Sequence, residues 1–189
     1  MLGVSPPQAR DFNAVAEIIL GSFYVRSFLL ISFYDIDEDY VRWLQKIDCQ
    51  IPNITYRSNS KFLCGTVFEI GDVKYYAPIS SNKTVFRTSF PIKDNSLPSC
   101  PILSTIRFCF MIPAIESVLT KKDFRVIRIN NSNYANLLEK EWNYCKTNEA
   151  LIKKKALSVY NIGCNKNHKL NYTCCDFKKL EYNYMNYFN

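Results

Sequence analysis

Lys61, Ser80, Ser81 and Lys83, with Tyr56 in the loop before them, are the residues of this 189-residue chain whose types and spacing could do chemistry. Ser80-Ser81-Asn82-Lys83 follows directly on Tyr75-Tyr76-Ala77-Pro78-Ile79, so two hydroxyls and an ammonium leave the end of one extended run together. Two ammonium groups at close range lower each other's pKa from about 10.4, which moves one of them toward the neutral form that can accept a proton. Such a set suits attack of a ribose 2′-hydroxyl on its own phosphodiester. That reaction needs a proton acceptor, donors at the phosphorane oxygens and a donor for the departing 5′-oxygen. The spacing does not say which lysine takes which part.

Other chemistries fit less well. His168 is the single histidine, which excludes a histidine-pair nuclease. Asp35, Asp37, Glu38 and Asp39 cluster, but at a helix start, where carboxylates cap amides and meet the helix dipole more often than they hold catalytic metals. The run Cys164, His168, Cys174, Cys175 lacks the paired Cys-x-x-Cys knuckles of structural zinc sites. With five glycines in the chain there is no Gly-rich phosphate loop. No metal and no cofactor is expected.

The elements that must position these residues can be read from the pattern. Lys61 opens a β-rich run to Ile70, Gly71-Asp72 makes a tight turn, and Val73 to Pro78 returns, which predicts an antiparallel hairpin. Lys61 lies ten residues before Gly71, and Ser81 and Lys83 lie nine and eleven after Asp72, so all three should meet at one end of the sheet. Phe33-Tyr34 ends a short strand, and Asp35 or Asp37 caps a helix to Ile47 whose stripe Tyr40, Trp43, Leu44, Ile47 is core-like. Thr84 to Ile92 and Ser104 to Phe110 are predicted strands. Ala114 to Leu119 reads as strand or short helix, and Pro113 favours an edge. Asn131 and Thr147 or Asn148 cap helices over Tyr134 to Lys146 and Glu149 to Tyr160, and a last helix runs from Asp176 to Tyr187.

Composition sets the class. The chain is 48% apolar and 15% aromatic, enough for a real core, and carries a net charge of +7. Between Cys49 and Phe110, Arg57, Lys61, Lys74, Lys83, Arg87, Lys93 and Arg107 face only Glu69, Asp72 and Asp94, which suits a polyanionic partner. Lys153 and Lys154, in a lysine triplet on a predicted helix, could line an RNA groove or form a solvated face. The eight dispersed cysteines read as free thiols of a cytoplasmic protein rather than a disulfide framework. The stretch Phe12 to Phe33 is apolar but interrupted by Glu17 and Arg26, a poor membrane span, and no basic region precedes it as in a leader. Residues 1–30 are therefore expected to be an N-terminal extension, and 31–189 one domain.

Several segments resemble the toxins of type III toxin–antitoxin systems, the ToxN/AbiQ family with the related CptN and TenpN toxins. They are Thr55-Tyr56, Lys61-Phe62-Leu63-Cys64-Gly65, Tyr76 through Lys83, Arg107-Phe108-Cys109-Phe110-Met111-Ile112-Pro113, Tyr134 to Tyr144, Thr173-Cys174 and Leu180-Glu181. The resemblance implies an α+β fold, a highly twisted antiparallel sheet of about six strands with a Kid/MazF-like core and about four helices. It also implies a metal-independent, sequence-preferring endoribonuclease that leaves a 2′,3′-cyclic phosphate. A small pseudoknotted RNA antitoxin would inhibit it, be processed by it from a repeat precursor, and join it in higher-order complexes during phage abortive infection. The family's site residues map onto Tyr40, Tyr56, Lys61, Ser80, Ser81 and Lys83, with Arg57, Arg87, Lys153 and Lys154 as further candidate RNA contacts. Two departures stand out: Ser80 replaces the family's threonine, and the loop from Tyr56 to Lys61 is one residue longer. The competing reading is a non-catalytic RNA-binding module, a degenerate toxin.

Overall fold

The computed structural model describes residues 31–53, 62–70 and 72–188. Tyr56, Arg57, Lys61, Gly71 and the N-terminal extension lie outside the described residues.

Strand β1 (Phe33–Ile36) leads into helix α1 (Glu38–Ile47), which starts where the sequence predicts. Asp37 Oδ1 accepts a hydrogen bond from the Tyr40 amide at 2.9 Å, Glu38 and Asp39 occupy the first turn, and Lys46 the last. The helix buries Tyr40, Val41 and Leu44.

The hairpin is β2 (Leu63–Ile70) and β3 (Val73–Ser80), followed by β4 (Ser89–Lys93) and β5 (Ile102–Arg107). Two shorter strands complete the sheet, β6 (Ile112–Pro113) and β7 (Leu119–Lys121). The strand order is β4-β5-β3-β2-β1-β7, with β6 also paired to β3, and every pairing is antiparallel. The expected count of about six becomes seven among the described residues. The short β6 and β7 carry too few residues to show an alternating pattern.

β3 is central, and it contains a proline. The Ile79 amide donates to the Phe62 carbonyl at 3.0 Å, so the Pro78 nitrogen faces the other side of the strand. There the neighbour changes from β6, paired at Tyr75 and Tyr76, to β5, paired at Ile79 and Ser80. The missing N–H thus falls in the gap between two ladders.

Helices α2 (Phe124–Asn130), α3 (Ser132–Thr147), α4 (Glu149–Cys164) and α5 (Phe177–Asn183) surround the sheet, giving five helices among the described residues rather than about four. The unforeseen one is α2, seven residues long, which buries no residue fully and packs Phe124 and Ile127 against the core; Asp123 caps it by accepting from the Arg125 amide at 2.9 Å. Asn131 caps α3 as expected, accepting from the Tyr134 amide at 3.0 Å. The predicted last helix changes to a 3-10 turn at Tyr184–Phe188, which lays Tyr187 against Tyr40 and Trp43 on α1. Two predicted strands are shorter than expected. Thr84 to Arg87 is an exposed loop that leads into buried Thr88, and Phe108–Phe110 turns into a 3-10 helix so that Ile112 and Pro113 can pair with β3.

All eight cysteines are free thiols, with Cys64, Cys109, Cys145, Cys174 and Cys175 buried. Among the described residues no helix is long and apolar enough to cross a membrane.

Candidate active site

The end of β3 is set by a bulge in the hairpin. Near the turn Phe68 faces Tyr75, yet further on Cys64 faces Ala77, so Gly65, Thr66 and Val67 oppose Tyr76 alone. An unbroken ladder would set Phe62 against Ser81; the two extra residues of β2 bring it back to Ile79. A shift of two preserves the alternation of faces, so the buried pattern survives while the end of the ladder moves. Gly65 sits within the bulge because a Cβ there would overlap the Tyr34 ring.

β5 positions the other side. Ser80 is paired with Thr105 and Ile79 with Ile106, and the two-residue period puts Arg107 on the same face as Thr105 and Ser80. The turn beyond Ser80 is held by hydrogen bonds. The Asn82 amide donates to Ser80 Oγ at 3.3 Å, Thr105 Oγ1 donates to the Asn82 carbonyl at 2.8 Å, and the Thr84 amide donates to Asn82 Oδ1 at 2.9 Å. Ser81 and Lys83 stand exposed on this turn, and no carboxylate pairs with Lys83 among the described residues.

A cleft of about 640 Å³ opens here. Pro78, Ser80 and Asn82 line it from β3 and its turn, Phe86, Arg87 and Thr88 from the following loop, Arg107 from the end of β5, and Cys109 and Phe110 from the 3-10 turn after it. Pro52, Leu170, Tyr172 and Thr173 complete the wall. Two guanidiniums and no carboxylate line it, so its field favours an anion. The Arg107 guanidinium lies 4.6 Å from the centre of the Phe86 ring, and burial lowers its pKa, with Cys109 opposing. Burial pushes the Cys109 thiol up, away from the thiolate a nucleophile would need.

The sequence-predicted residues divide into three groups. Ser80 and Arg87 line the cleft, with Ser81 and Lys83 on the same turn. Tyr56, Arg57 and Lys61 lie outside the described residues. Tyr40, Lys153 and Lys154 are not brought to the cleft. Tyr40 has no exposed surface, its hydroxyl donates to the Pro113 carbonyl at 2.8 Å, and burial raises its pKa, so in this structure its ring has no face to offer RNA. Lys153 pairs with Glu149 one helical turn away at 2.5 Å, and Lys154 faces solvent. Phe86 and Thr105 were not singled out by the sequence, and Arg107 was read only as one of seven bases between Cys49 and Phe110 and as part of a family-like segment, because their place in the cleft depends on the pairing of β3 with β5, which no local pattern reveals. Among the described residues no group of three or more His, Cys, Asp or Glu is placed to hold a metal ion. His168 serves a turn instead, its Nδ1 accepting from the Leu170 amide at 3.1 Å.

Residues 32–185 match the model of the family described as toxin ToxN of type III toxin–antitoxin systems. The chain belongs to this family. It is 30% identical over 167 residues to endoribonuclease ToxN of Pectobacterium atrosepticum, covering 83% of this chain and 94% of that protein. A solved structure described by the words "a processed non-coding RNA regulates a bacterial antiviral system" is 28% identical. It superposes with a TM-score of 0.70 over 82% of this chain and 98% of the other. A type III toxin structure concerned with inhibition by a non-coding RNA pseudoknot shares the fold at a TM-score of 0.77 and 24% identity, covering 84% and 98% of the two chains.

Proposed function

We propose that this chain is the endoribonuclease toxin of a type III toxin–antitoxin system acting in phage abortive infection, and that it cleaves RNA at the turn from Ser80 to Lys83. The observation that carries the proposal is the acid-free cleft at this turn in a chain whose family match spans 32–185. Its attacking group is the ribose 2′-hydroxyl and its product a 2′,3′-cyclic phosphate. Lys61 and Lys83 share the handling of the 2′ proton and of the charge on the phosphorane, with Ser80, Ser81 and Tyr56 donating hydrogen bonds. None of these roles calls for a metal ion. Arg57 and Arg87 are further RNA contacts.

The inhibitor is a small pseudoknotted RNA, processed by the toxin and assembled with it in the cytoplasm. The relative described as regulated by a processed non-coding RNA supports this partner. A Kid/MazF-like core underlies the sheet, and residues 1–30 form an extension outside the toxin domain, 31–189.

The test is cleavage of cellular RNA by purified protein in EDTA. Wild type should cut and leave cyclic phosphate ends, while Lys61→Ala, Ser81→Ala and Lys83→Ala should each lose at least about a hundredfold in rate. A wild type that binds RNA but leaves it intact would establish the non-catalytic module instead. The chain beginning at residue 31 should cut as the full chain does; failure of that protein to fold would overturn the assignment of the extension.

A further inference from the structure

The chemistry assigned to the Ser80–Lys83 turn leaves Arg107 and Phe86 without a task. Arg107 is half-buried at the end of β5, and no carboxylate pairs with it among the described residues. A partly desolvated cation with no counter-charge is a cost to the fold, and it is offset when an anion enters. Phe86 is 50% exposed, which alone would mean little. Its backbone, however, is fixed: the amide donates to Ser89 Oγ at 2.8 Å, and its carbonyl accepts from Ser89 Oγ and from the Ser89 amide, each at 3.1 Å. Arg107 lies over its ring, so one face of the platform is backed by the cation. The loop is pinned at its other end through Asn82 and Thr105. An immobilised, half-exposed ring beside an unpaired guanidinium is the pairing that single-stranded nucleic acid sites use, a stacking surface for a base next to a cation for its phosphate.

Resting on the ribonuclease reading, we infer that Phe86 and Arg107 form a nucleotide subsite of the cleft, Phe86 stacking on one base of single-stranded RNA and Arg107 holding the phosphate beside it. The subsite fixes the register of the strand, so that the scissile phosphate lies at the Ser80–Lys83 turn. Stacking is tolerant of base identity but stronger for purines, so the subsite biases cleavage toward sites with a purine at this position.

The probe is a short oligonucleotide of randomised sequence with 2′-O-methyl riboses, which lack the attacking hydroxyl, titrated by fluorescence anisotropy over a range of salt. Phe86→Ala should weaken binding about tenfold to a hundredfold and flatten the purine bias in cleavage of ordinary RNA. Phe86→Trp should bind as wild type does, with its emission quenched by the oligonucleotide. Arg107→Ala should raise KM more than it lowers kcat and flatten the slope of log affinity against log salt by about 0.7, the share of one phosphate contact; Arg107→Lys should restore that slope. Folded Phe86→Ala and Arg107→Ala proteins with wild-type affinity and salt slope would overturn the inference. Where an alanine variant does not fold, unchanged emission of Phe86→Trp at saturating oligonucleotide overturns it equally. A wild type that cuts no RNA is a different result, which defeats the ribonuclease reading itself.

Discussion

Thr105 Oγ1 donates a hydrogen bond of 2.8 Å to the Asn82 carbonyl, and through it β5, lying between β4 and β3, holds the turn that carries Ser81 and Lys83. Thr105 is itself fully buried opposite Ser80, so its hydroxyl has no water to turn to when this bond is lost. Thr105→Val keeps the shape and removes the donor. It should cost about 1 kcal/mol in urea denaturation, while RNA cleavage falls more than stability does, because the turn loses its position without the fold being lost.

Lys140 on α3 and Asp94 after β4 form an ion pair at 2.8 Å with the carboxylate buried. Hydrogen bonds from Lys140 and then Ser96 hold the Asp94 pKa down at about 2. A carboxyl whose folded pKa is depressed stabilises the protein above its unfolded pKa of about 3.9, and that contribution is lost as pH falls through about 2. Lys140→Met should therefore be less stable than wild type at pH 7. The gap between the two should close between about pH 4 and pH 2, as read from denaturant midpoints.

Glu141 behaves in the opposite sense. It is 3% exposed on α3, no cation pairs with it among the described residues, and burial raises its pKa. Its contribution is fully present below the unfolded pKa of about 4.3 and is lost as pH rises through the higher folded value. Glu141→Gln should remove that decline. The variant should match wild type near pH 4 and exceed it in melting temperature at pH 8, and a variant that gains nothing at pH 8 would contradict the sign.

Gly163 lies against the Phe177 ring, which a Cβ at that position would overlap. Phe177 is fully buried and stacks on Tyr160 with ring centres 5.5 Å apart, so it has little room to yield. Gly163→Ala should destabilise by about 1–3 kcal/mol despite the better helix propensity of alanine, measured by thermal or chemical melts.

Much of this arrangement is legible in the chain. Asp37, Asn131 and the Gly71-Asp72 pair announce their elements locally, since caps and tight turns depend on residues a few positions apart. The hydroxyl and lysine content of the Ser80–Lys83 turn, and its place at the far end of a hairpin, follow from spacing alone. So does the exclusion of histidine-pair chemistry.

What only the tertiary structure decided are relations between distant residues. The bulge that turns Phe62 from Ser81 to Ile79 is invisible in the pattern, because a shift of two leaves the alternation of apolar residues unchanged. Tyr40 fits a helical stripe either at its edge or in its middle, and the C-terminal Tyr187 and Phe188 settle it as buried. Arg107 is one of many bases in the sequence. It becomes part of a cleft because β5 pairs with β3 across a long sequence separation, and contacts of that kind are fixed by the packing of the whole sheet rather than by any neighbouring residue.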